Sequence, residues 1–568
     1  MTGQARRRGD GRTAPSRASA DPVVAAAAGV AALLMAWVWA TGELAGWSAT
    51  GRWPQIGLGG LLGVIGRLPH EFGDPRRAWP SPVSRTMPEA VVFYGWAAAG
   101  LAVLALTATV ARRCFGAKGG RGARWADSSD VRALRIRSPG RPGRMVVGRA
   151  VLSRRRAGGC LVATETRHSL LVIGPTQSGK TTGLAIPALL EWQGPVVATS
   201  VKDDLAGTTL PWRSSHGPCA VFDPTQSSGI GPLSRWSPVT LCSTWTDAQR
   251  IAGWLVESTP GRRGMADAAF WYSTAAKQLA PLMLAAERSG AGMAEVVRWT
   301  DSADFDEPLR LLELSAETEA VLALSACAAR DERIRSSVAT TLETVLAPFG
   351  DPVVAASTSG SDIDVASLLR DRGTLYLCGP SQEQNRVQGL FAALVSSVVA
   401  EVFRVVAHTG KALDPPLLLV LDEAANIAPI RDLDTLASTG AGVGIQLVTV
   451  CQDLAQLAAR YDPERARTIA NNHRAKLLLS GVSDLGTLDL VSGLAGEQSV
   501  SEVSSTHDLR DGRRTRSTST VMRRLAPTDE LRRTPPGEGV LIYGHLPPVR
   551  IRLRPWYRDR ELKRRVGS

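Results

Sequence analysis

Residues 168–182 read HSLLVIGPTQSGKTT, and this stretch decides the fold. The apolar run at 168–173 predicts a short buried strand, and residues 181–192 predict a helix directly after it. Between the two, residues 174–181 match the pattern GxxxxGK[ST]. A strand before that pattern and a helix after it are the context in which it forms a phosphate-binding loop.

Each residue type in this loop has a physical task. The glycines allow backbone N–H groups to curl around phosphates, and the positive end of the following helix dipole favours anions. Lys180 is predicted to reach the β- and γ-phosphates, and the Thr181 hydroxyl to ligate Mg²⁺. The predicted cofactors are therefore ATP and Mg²⁺. The predicted nucleotide-binding residues are Gly174, Pro175, Thr176, Gln177, Ser178, Gly179, Lys180, Thr181 and Thr182.

A second apolar run, LLLVLDE at 417–423, ends in two carboxylates. A strand that ends in this way brings Asp422 and Glu423 to the carboxyl edge of a sheet. Asp422 is predicted to hold Mg²⁺ through water, and Glu423 to act as the general base on the attacking water. Gln452 ends a later strand, where its amide either senses the γ-phosphate, orients water or is a polar strand cap.

The remaining pattern predicts an α/β fold. Strand-like runs alternate with helical stretches, which indicates a parallel sheet with helices on both faces. An Ala-, Leu- and Glu-rich stretch at 243–347 lacks strand-like runs and predicts an inserted all-helical domain. The nucleotide-binding domain then comprises 125–242 and 348–568. The Ser-, Thr- and Arg-rich residues 498–521 predict a flexible surface connection.

Two uncharged stretches near the N-terminus are each long enough to cross a bilayer. They are predicted as transmembrane helices at about 23–42 and 90–111, joined by an external loop at 43–89; two buried core helices are the alternative. Arginines crowd the basic N-terminus, residues 1–22, and the residues after 111. The positive-inside rule therefore predicts a two-pass protein of the inner or plasma membrane, with both termini and the ATPase domain in the cytoplasm.

The charge distribution points to an acidic partner. The chain carries 66 Lys+Arg and 53 Asp+Glu, a net charge of +13. Residues 112–156 alone hold 14 basic and 2 acidic residues, a net +12, and either nucleic-acid phosphates or anionic lipid would attract them. Because no helix-turn-helix or zinc-finger pattern occurs, any DNA contact should be backbone-directed and independent of sequence. The seven cysteines form no CxxC pair, which argues against a zinc ribbon.

Taken together, the motifs resemble those of type IV secretion coupling proteins, the TraG/TraD-like conjugative DNA-transfer ATPases. The resemblance runs from about residue 125 to the C-terminus, and a two-pass anchor is also typical of the family. It rests on ordered segments that include HSLLVIGPTQSGKTTGLAIPALLEW, VFDP, TTLETVLAPFGDP, TLYLCGP, LLLVLDEAANI, VTVCQDLAQL and PPVRIRLRPWY.

The resemblance implies a RecA-like domain with a helical cap, assembled as a homo-hexamer around a channel. In that family, ATP hydrolysis helps to feed a DNA–relaxase complex, or an effector protein, into a secretion channel with other components. The partner that the resemblance implies is therefore DNA, expected to be single-stranded, or a relaxase or effector protein. By position, the catalytic residues would be Lys180, Thr181, Asp422, Glu423 and Gln452.

One departure from the family pattern concerns an arginine that acts in trans on a neighbouring subunit's site. Family members often carry it eleven residues before the glutamine, where this chain has Ala441. Charge on a transferring phosphoryl group needs a cation. Of the arginines nearby in sequence, Arg474 directly precedes a strand and is our candidate.

Two other functions remain open. An FtsK-like double-stranded DNA translocase would share the engine, but that class usually has more membrane spans and a C-terminal winged helix. A non-motor docking protein, in which ATP only orders an assembly, is consistent with Ala441. The adjacent carboxylates Asp422 and Glu423 argue against it.

Overall fold

The computed structural model describes residues 22–115, 122–140, 142–152, 159–201, 203–259, 268–380, 382–507 and 514–567. The chain divides into two compact units, Met1–Gly120 and Arg121–Ser568. The predicted basic N-terminus lies outside the described residues up to residue 21. Parts of the basic stretch 112–156 also lie outside them.

The first unit is a helical hairpin whose connection is folded. Its helices are α1 (Pro22–Thr50), α2 (Leu61–Arg67) and α3 (Ala90–Phe115). The Trp37 indole N–H donates to the Ala97 carbonyl, 3.1 Å away, and so joins α1 to α3. Helix α1 runs past the predicted end at 42 because Glu43 is buried and accepts a hydrogen bond from the Ile56 backbone N–H.

Two helices among the described residues are long and apolar enough to cross a membrane. In Ala90–Thr107 only 6% of the segment is buried, whereas half of Gln384–Thr409 is buried inside the second unit. The latter is therefore a core helix. The side chains of residues 22–31, which begin the other predicted span, lie outside the described part of the chain.

A large mixed sheet forms the centre of the second unit. Its strands follow the order β2-β1-β13-β12-β9-β3-β8-β7-β4-β6-β5. The strands from β9 to β5 in that order are parallel, and β12, β13, β1 and β2 extend one side as antiparallel partners. All strands of the second unit, with the separate pair β10 and β11, are β1 (Val146–Ala150), β2 (Cys160–Ala163), β3 (Leu170–Ile173), β4 (Val196–Ser200), β5 (Cys219–Phe222), β6 (Thr374–Cys378), β7 (Leu417–Leu421), β8 (Ile445–Cys451), β9 (Ala475–Leu479), β10 (Glu497–His507), β11 (Arg514–Arg524), β12 (Glu538–Tyr543) and β13 (Val549–Arg552).

Among the described residues of the second unit, helices lie on both faces of this sheet or pack on other helices. They are α4 (Ile186–Glu191), α5 (Asp204–Ser214), α6 (Trp245–Glu257), α7 (Ala268–Arg288), α8 (Met293–Ser302), α9 (Asp306–Leu314), α10 (Thr318–Ala328), α11 (Glu332–Leu346), α12 (Pro352–Ser357), α13 (Val365–Arg370), α14 (Gln384–Thr409), α15 (Leu433–Val443), α16 (Leu454–Tyr461), α17 (Pro463–Asn472), α18 (Leu485–Ala495), α19 (Thr528–Arg532) and α20 (Arg560–Val566). The strand–helix alternation of the sequence predicted this architecture.

The inserted helices α6–α11 lie between β5 and β6 in the chain. Their buried side chains share one hydrophobic core with a sheet face, in which Leu279 and Val338 from the insertion belong to the same cluster as Leu171 and Leu377 from the strands. Alternate residues of those strands, such as Leu170, point to the second core on the opposite face. The predicted domain bounds 243–347 stay a prediction.

The structure corrects the expectation for residues 498–521. Instead of a flexible connection, β10 and β11 form a long antiparallel hairpin in register from Glu497↔Arg524 to His507↔Arg514. Serine and threonine are compatible with extended strands as well as with loops, and the β-branched residues favour strands. The expectation of a flexible connection is wrong because a Ser- and Thr-rich composition also suits exposed, paired strands.

Candidate nucleotide-binding site

Strand order brings the predicted site residues to one edge of the sheet. Strand β8 lies between β3 and β7, with Ile173 opposite Cys451 and Leu421 opposite Thr449. All three strands run parallel, so their carboxyl ends point the same way. The loop after β3, Gln452 after β8, and Asp422 with Glu423 after β7 consequently follow neighbouring strand ends.

The phosphate-binding loop has the tight geometry that its sequence predicts. Gln177 and Gly179 adopt left-handed backbone angles, with φ of 64° and 88°. The Lys180 ammonium donates to the Gly174 carbonyl at 2.6 Å. A Cβ atom at Gly174 would lie 2.6 Å from the Ser178 hydroxyl oxygen, so a larger residue would obstruct the loop. Thr176 and Gln177 are exposed at its tip, and Pro175 and Thr182 are half-buried.

The two halves of the site meet at Thr181 and Asp422. The Thr181 hydroxyl donates to Asp422 Oδ2 at 3.3 Å, across 241 residues of sequence. The Thr199 hydroxyl donates to the Asp422 backbone carbonyl at 2.9 Å and holds the end of β7 in place. Asp422 Oδ1 and Ser178 Oγ are buried without a hydrogen-bond partner among the described residues. A hydroxyl beside an unpaired carboxylate oxygen is a donor set that fits Mg²⁺.

The environment of Asp422 disfavours the charged form of its carboxyl group. The pKa of its carboxyl is raised to about 6, chiefly by burial and in smaller part by the neighbouring Glu423 carboxylate. The Lys180 ammonium and the Thr181 hydroxyl oppose this rise. A carboxylate that burial disfavours and that has an unsatisfied oxygen gains most from a cation.

Glu423 has an unusual backbone for a residue with a side chain. Its φ is 51°, in the left-handed region, and its carbonyl accepts hydrogen bonds from the N–H groups of Asn426 and Ile427. Such angles in non-glycine residues are costly and recur at functional sites. The sharp turn ends strand β7 directly at the carboxylate pair.

Gln452 is half-buried at the end of β8, and its backbone N–H donates to the side-chain oxygen of Gln456 at 2.9 Å. The Gln456 backbone N–H in turn donates to Asp453 Oδ1 at 2.8 Å, and Asp453 is thus the N-cap of α16. Sequence reasoning missed Gln456. The signal was available, because Asp453 three residues before it is a typical helix N-cap.

Ala441 and Arg474 lie at the opposite edge of the sheet from the phosphate-binding loop. Ala441 is in the last turn of α15, just before β8 begins, and Arg474 directly precedes β9. The Arg474 backbone N–H donates to the Ser169 hydroxyl, which donates to the Ala437 carbonyl of α15. Because β8 and β9 both run parallel to β3, Ala441 and Arg474 lie at the same edge of the sheet, and Arg474 is exposed there.

Part of the predicted basic stretch is used within the fold. Arg124 forms a two-pronged ion pair with Asp130, at 2.6 and 2.8 Å. Arg144 donates to the backbone carbonyls of Thr164 and Ala133. These two arginines have internal structural partners, which the residue count of 112–156 did not reveal.

A second set of missed residues borders the loop from the C-terminal end of the chain. A Cβ atom at Gly183 would lie 3.0 Å from Leu553 Cβ, and one at Gly179 would lie 3.4 Å from Leu553 Cδ1. The Arg554 backbone N–H donates to the Gly183 carbonyl at 3.3 Å. The segment PPVRIRLRPWY was noted in the sequence, but nothing in its composition indicated where it packs.

Comparison with known sequences gives a family match. The model of the family described as "Type IV secretory system Conjugative DNA transfer" matches residues 124–568. A conjugal transfer protein TraG from Escherichia coli is 29% identical over 329 residues, which cover 52% of this chain and 50% of that protein. A VirD4 protein from Rhizobium rhizogenes is 27% identical over 428 residues, which cover 72% of this chain and 61% of that protein.

Solved structures give the same fold. The bacterial conjugative coupling protein TrwBΔN70, in an unbound form, is 20% identical with a TM-score of 0.57, and the match covers 76% of this chain and 93% of that one. TrwB in complex with the ATP analogue ADPNP is 21% identical with a TM-score of 0.57, and the match covers 76% and 94%. The chain thus has the RecA-like fold of these neighbours, while it spans only half to three fifths of the TraG and VirD4 relatives.

The raised pKa of Asp422 predicts that this residue lowers stability at neutral pH. The folded pKa of about 6 lies above the ordinary value of 3.8, so the fold binds more protons than the unfolded chain between these values. Stability is therefore lost as the pH rises through this window. Without nucleotide and Mg²⁺, Asp422→Asn should melt at a higher temperature than the parent at pH 8, and the difference should shrink as the pH falls below about 6.

The matched control is Asp453→Asn, because asparagine replaces aspartate as an N-cap with little loss. Its melting temperature should follow that of the parent at both pH values. A lower melting temperature for Asp422→Asn at pH 8 would contradict the prediction.

Proposed function

The chain belongs to the type IV secretory system conjugative DNA-transfer family, and from that membership we propose that it is a membrane-anchored ATPase that couples DNA to a secretion channel. The observation that carries the proposal is the hydrogen bond between Thr181 and Asp422, which joins the phosphate-binding loop to the acidic strand end. A P-loop enzyme needs both parts in one place. The TrwB structures bound to ADPNP and to ADP with Mg²⁺ support the same cofactors here.

In the proposed site, residues 174–182 cradle the phosphates and Lys180 neutralises the β- and γ-phosphate charge. The Lys180 ammonium already sits inside the loop on the Gly174 carbonyl, a contact that it can exchange for phosphate oxygens. Thr181 and Asp422 would hold Mg²⁺, which when bound withdraws charge from the phosphate oxygens.

Hydrolysis needs a base and an oriented water. Glu423 is the proposed base, because the left-handed turn fixes its backbone at the strand end beside Asp422. Gln452, between the two halves of the site, is proposed to orient the water or sense the γ-phosphate. Its backbone bond to Gln456 supports a fixed position for its Cα.

The trans-acting arginine is proposed to be Arg474. An arginine that serves a neighbouring subunit must project away from its own phosphate-binding loop, and Arg474 is exposed at the far edge of the sheet. Through Ser169 it is linked to α15, the helix that carries Ala441. A homo-hexamer closed around a channel would supply the neighbouring site.

The membrane part of the proposal is a two-pass anchor with both termini and the ATPase domain in the cytoplasm. Its support is the exposed apolar helix segment Ala90–Thr107, the packing of α1 on α3, and the concentration of arginines outside the spans. The basic stretch 112–156 directly follows the second proposed span in the sequence, and anionic lipid or DNA phosphates would attract it.

The proposed cargo is single-stranded DNA with a relaxase, or an effector protein, recruited without sequence preference. If so, single-stranded DNA should raise the rate of ATP turnover several-fold in the purified full chain, because substrate in the channel orders the subunit interfaces. Stimulation by duplex alone would favour an FtsK-like translocase. Nucleotide binding without turnover under any condition would favour a docking protein.

Lys180→Ala and Glu423→Gln should separate nucleotide binding from hydrolysis. Both should reduce the turnover number by about 100-fold or more, since each removes a charge or proton acceptor needed in the transition state. Glu423→Gln should retain nucleotide, because the phosphate cradle is intact, whereas Lys180→Ala should lose it. Equilibrium binding of a fluorescent ADP analogue measures the difference. Turnover by Glu423→Gln at the parent rate would refute the assignment of the base.

Arg474→Ala should lower the turnover number by about 1,000-fold while leaving nucleotide affinity unchanged, as expected for a residue that stabilises transition-state charge. The matched control is Arg467→Ala, which removes an exposed arginine from the nearby helix α17.

Subunit mixing tests whether Arg474 acts in trans. Neither Arg474→Ala nor Glu423→Gln subunits should turn over ATP alone. Mixed together, they form interfaces in which an intact base faces an intact arginine, and part of the activity should return. Failure of the mixture to exceed either variant would reject this arginine.

A further inference from the structure

The helix that follows the phosphate-binding loop opens with one α-type bond, from the Gly183 N–H to the Gly179 carbonyl, and then widens. Residues Thr181–Ala185 form a π-helical turn, with the Ile186 N–H bonded to the Thr181 carbonyl, and α4 continues to Glu191. Pro187 explains this widening, because a proline ring clashes with the carbonyl four residues earlier and offers no N–H to it. That carbonyl belongs to Gly183. Isolated π turns of this kind recur at functional sites.

The Gly183 carbonyl takes its donor from the far end of the sequence. The Arg554 backbone N–H donates to it at 3.3 Å. The buried Leu553 side chain packs on the bare backbone of Gly183 and Gly179, where any Cβ atom would approach it within 3.0 to 3.4 Å. Leu553 can pack here because Gly179 and Gly183 have no side chains. The Gly183 carbonyl is free to accept from Arg554 because Pro187 has no N–H.

The same segment also holds the other end of the helix. The Arg554 guanidinium lies between Asp559, at 2.8 Å, and Glu191, at 2.9 Å, and both Arg554 and Glu191 are about 95% buried. Burial raises the pKa of the Glu191 carboxyl, and Arg554 counteracts that rise. Arg565 donates to the Leu190 carbonyl at 2.8 Å. Residues 553–565, here called the C-terminal splint, therefore bind the helix at its first and last turns.

We propose that the C-terminal splint positions the phosphate-binding loop, by holding the π-helical turn that carries Thr181 and Thr182 in the geometry required for phosphate and Mg²⁺. The inference rests on the proposed nucleotide site. Phosphate recognition depends on the direction of the N–H groups in the first helical turn. Relaxation of a π turn to an α turn would rotate these groups and the Thr181 hydroxyl away from their places.

Pro187→Ala is the sharpest test. Alanine at 187 restores an N–H that can bond to Gly183, so the turn can relax and the Arg554 N–H loses its acceptor. The affinity of the full-length protein for a fluorescent ADP analogue with Mg²⁺ should fall about three- to tenfold, the equivalent of about one hydrogen bond. Its melting temperature should stay the same or rise, because alanine is the better helix former.

The test is decided by affinity for the analogue and melting temperature taken together. A merely structural role for Pro187 would leave affinity unchanged or would lower affinity and melting temperature together, and either result overturns the proposal. Pro281→Ala, the same substitution inside α7 of the helical insertion, is the matched control and should keep parent affinity. Lys180→Ala tests the proposed nucleotide site separately: if it binds the analogue like the parent, that site is wrong, whatever Pro187→Ala does.

A second variant approaches the contact from the splint. Leu553→Ala should also weaken binding of the analogue. The double variant Leu553→Ala with Pro187→Ala should have a dissociation constant no more than about twofold above that of the single variant that binds less tightly. Changes that act through one shared contact are not additive. Full additivity of the two effects would mean that the splint and the π turn act independently, which overturns the proposal.

Discussion

A buried carboxylate is the constraint on which the site depends. Asp422 ends a strand that is inside the sheet, and burial alone would favour its protonated form. The surrounding structure supplies partial compensation from the Thr181 hydroxyl and the Lys180 ammonium, but leaves one carboxylate oxygen unpaired. The fold therefore tolerates a destabilised group at the point where a cation and phosphates would restore the balance.

The sequence predicted the site because its signals are local. The strand, loop and helix around Lys180 and the apolar run before Asp422 occupy short windows, and the sheet's parallel order brings their ends together without further information. Gln452 was placed correctly at a strand end for the same reason. The catalytic roles of these residues stay predictions, because geometry places side chains and does not measure rates.

What the sequence did not reveal depends on contacts between distant segments. The antiparallel strands β12 and β13 extend the sheet next to β9, and the splint reaches the helix of residues 181–191 from more than 360 residues away in sequence. Pro187 was visible within the predicted helix, yet its effect on the turn before it depends on a partner that no local window contains. The hairpin β10–β11 was missed for another reason. Its described side chains, 497–504 and 517–524, are exposed or half-buried, so no alternating apolar pattern marks the strands.

The position of β3 between β8 and β9 has a consequence for how the protein is made. The phosphate-binding strand leaves the ribosome early, but its two neighbours end at Cys451 and Leu479, roughly 300 residues later. At about 5 to 20 residues per second, β3 waits some 15 to 60 s for both flanking strands, with an apolar surface exposed during that time. Products truncated before Leu479 would therefore lack at least one neighbour of the phosphate-binding strand and would be prone to aggregation.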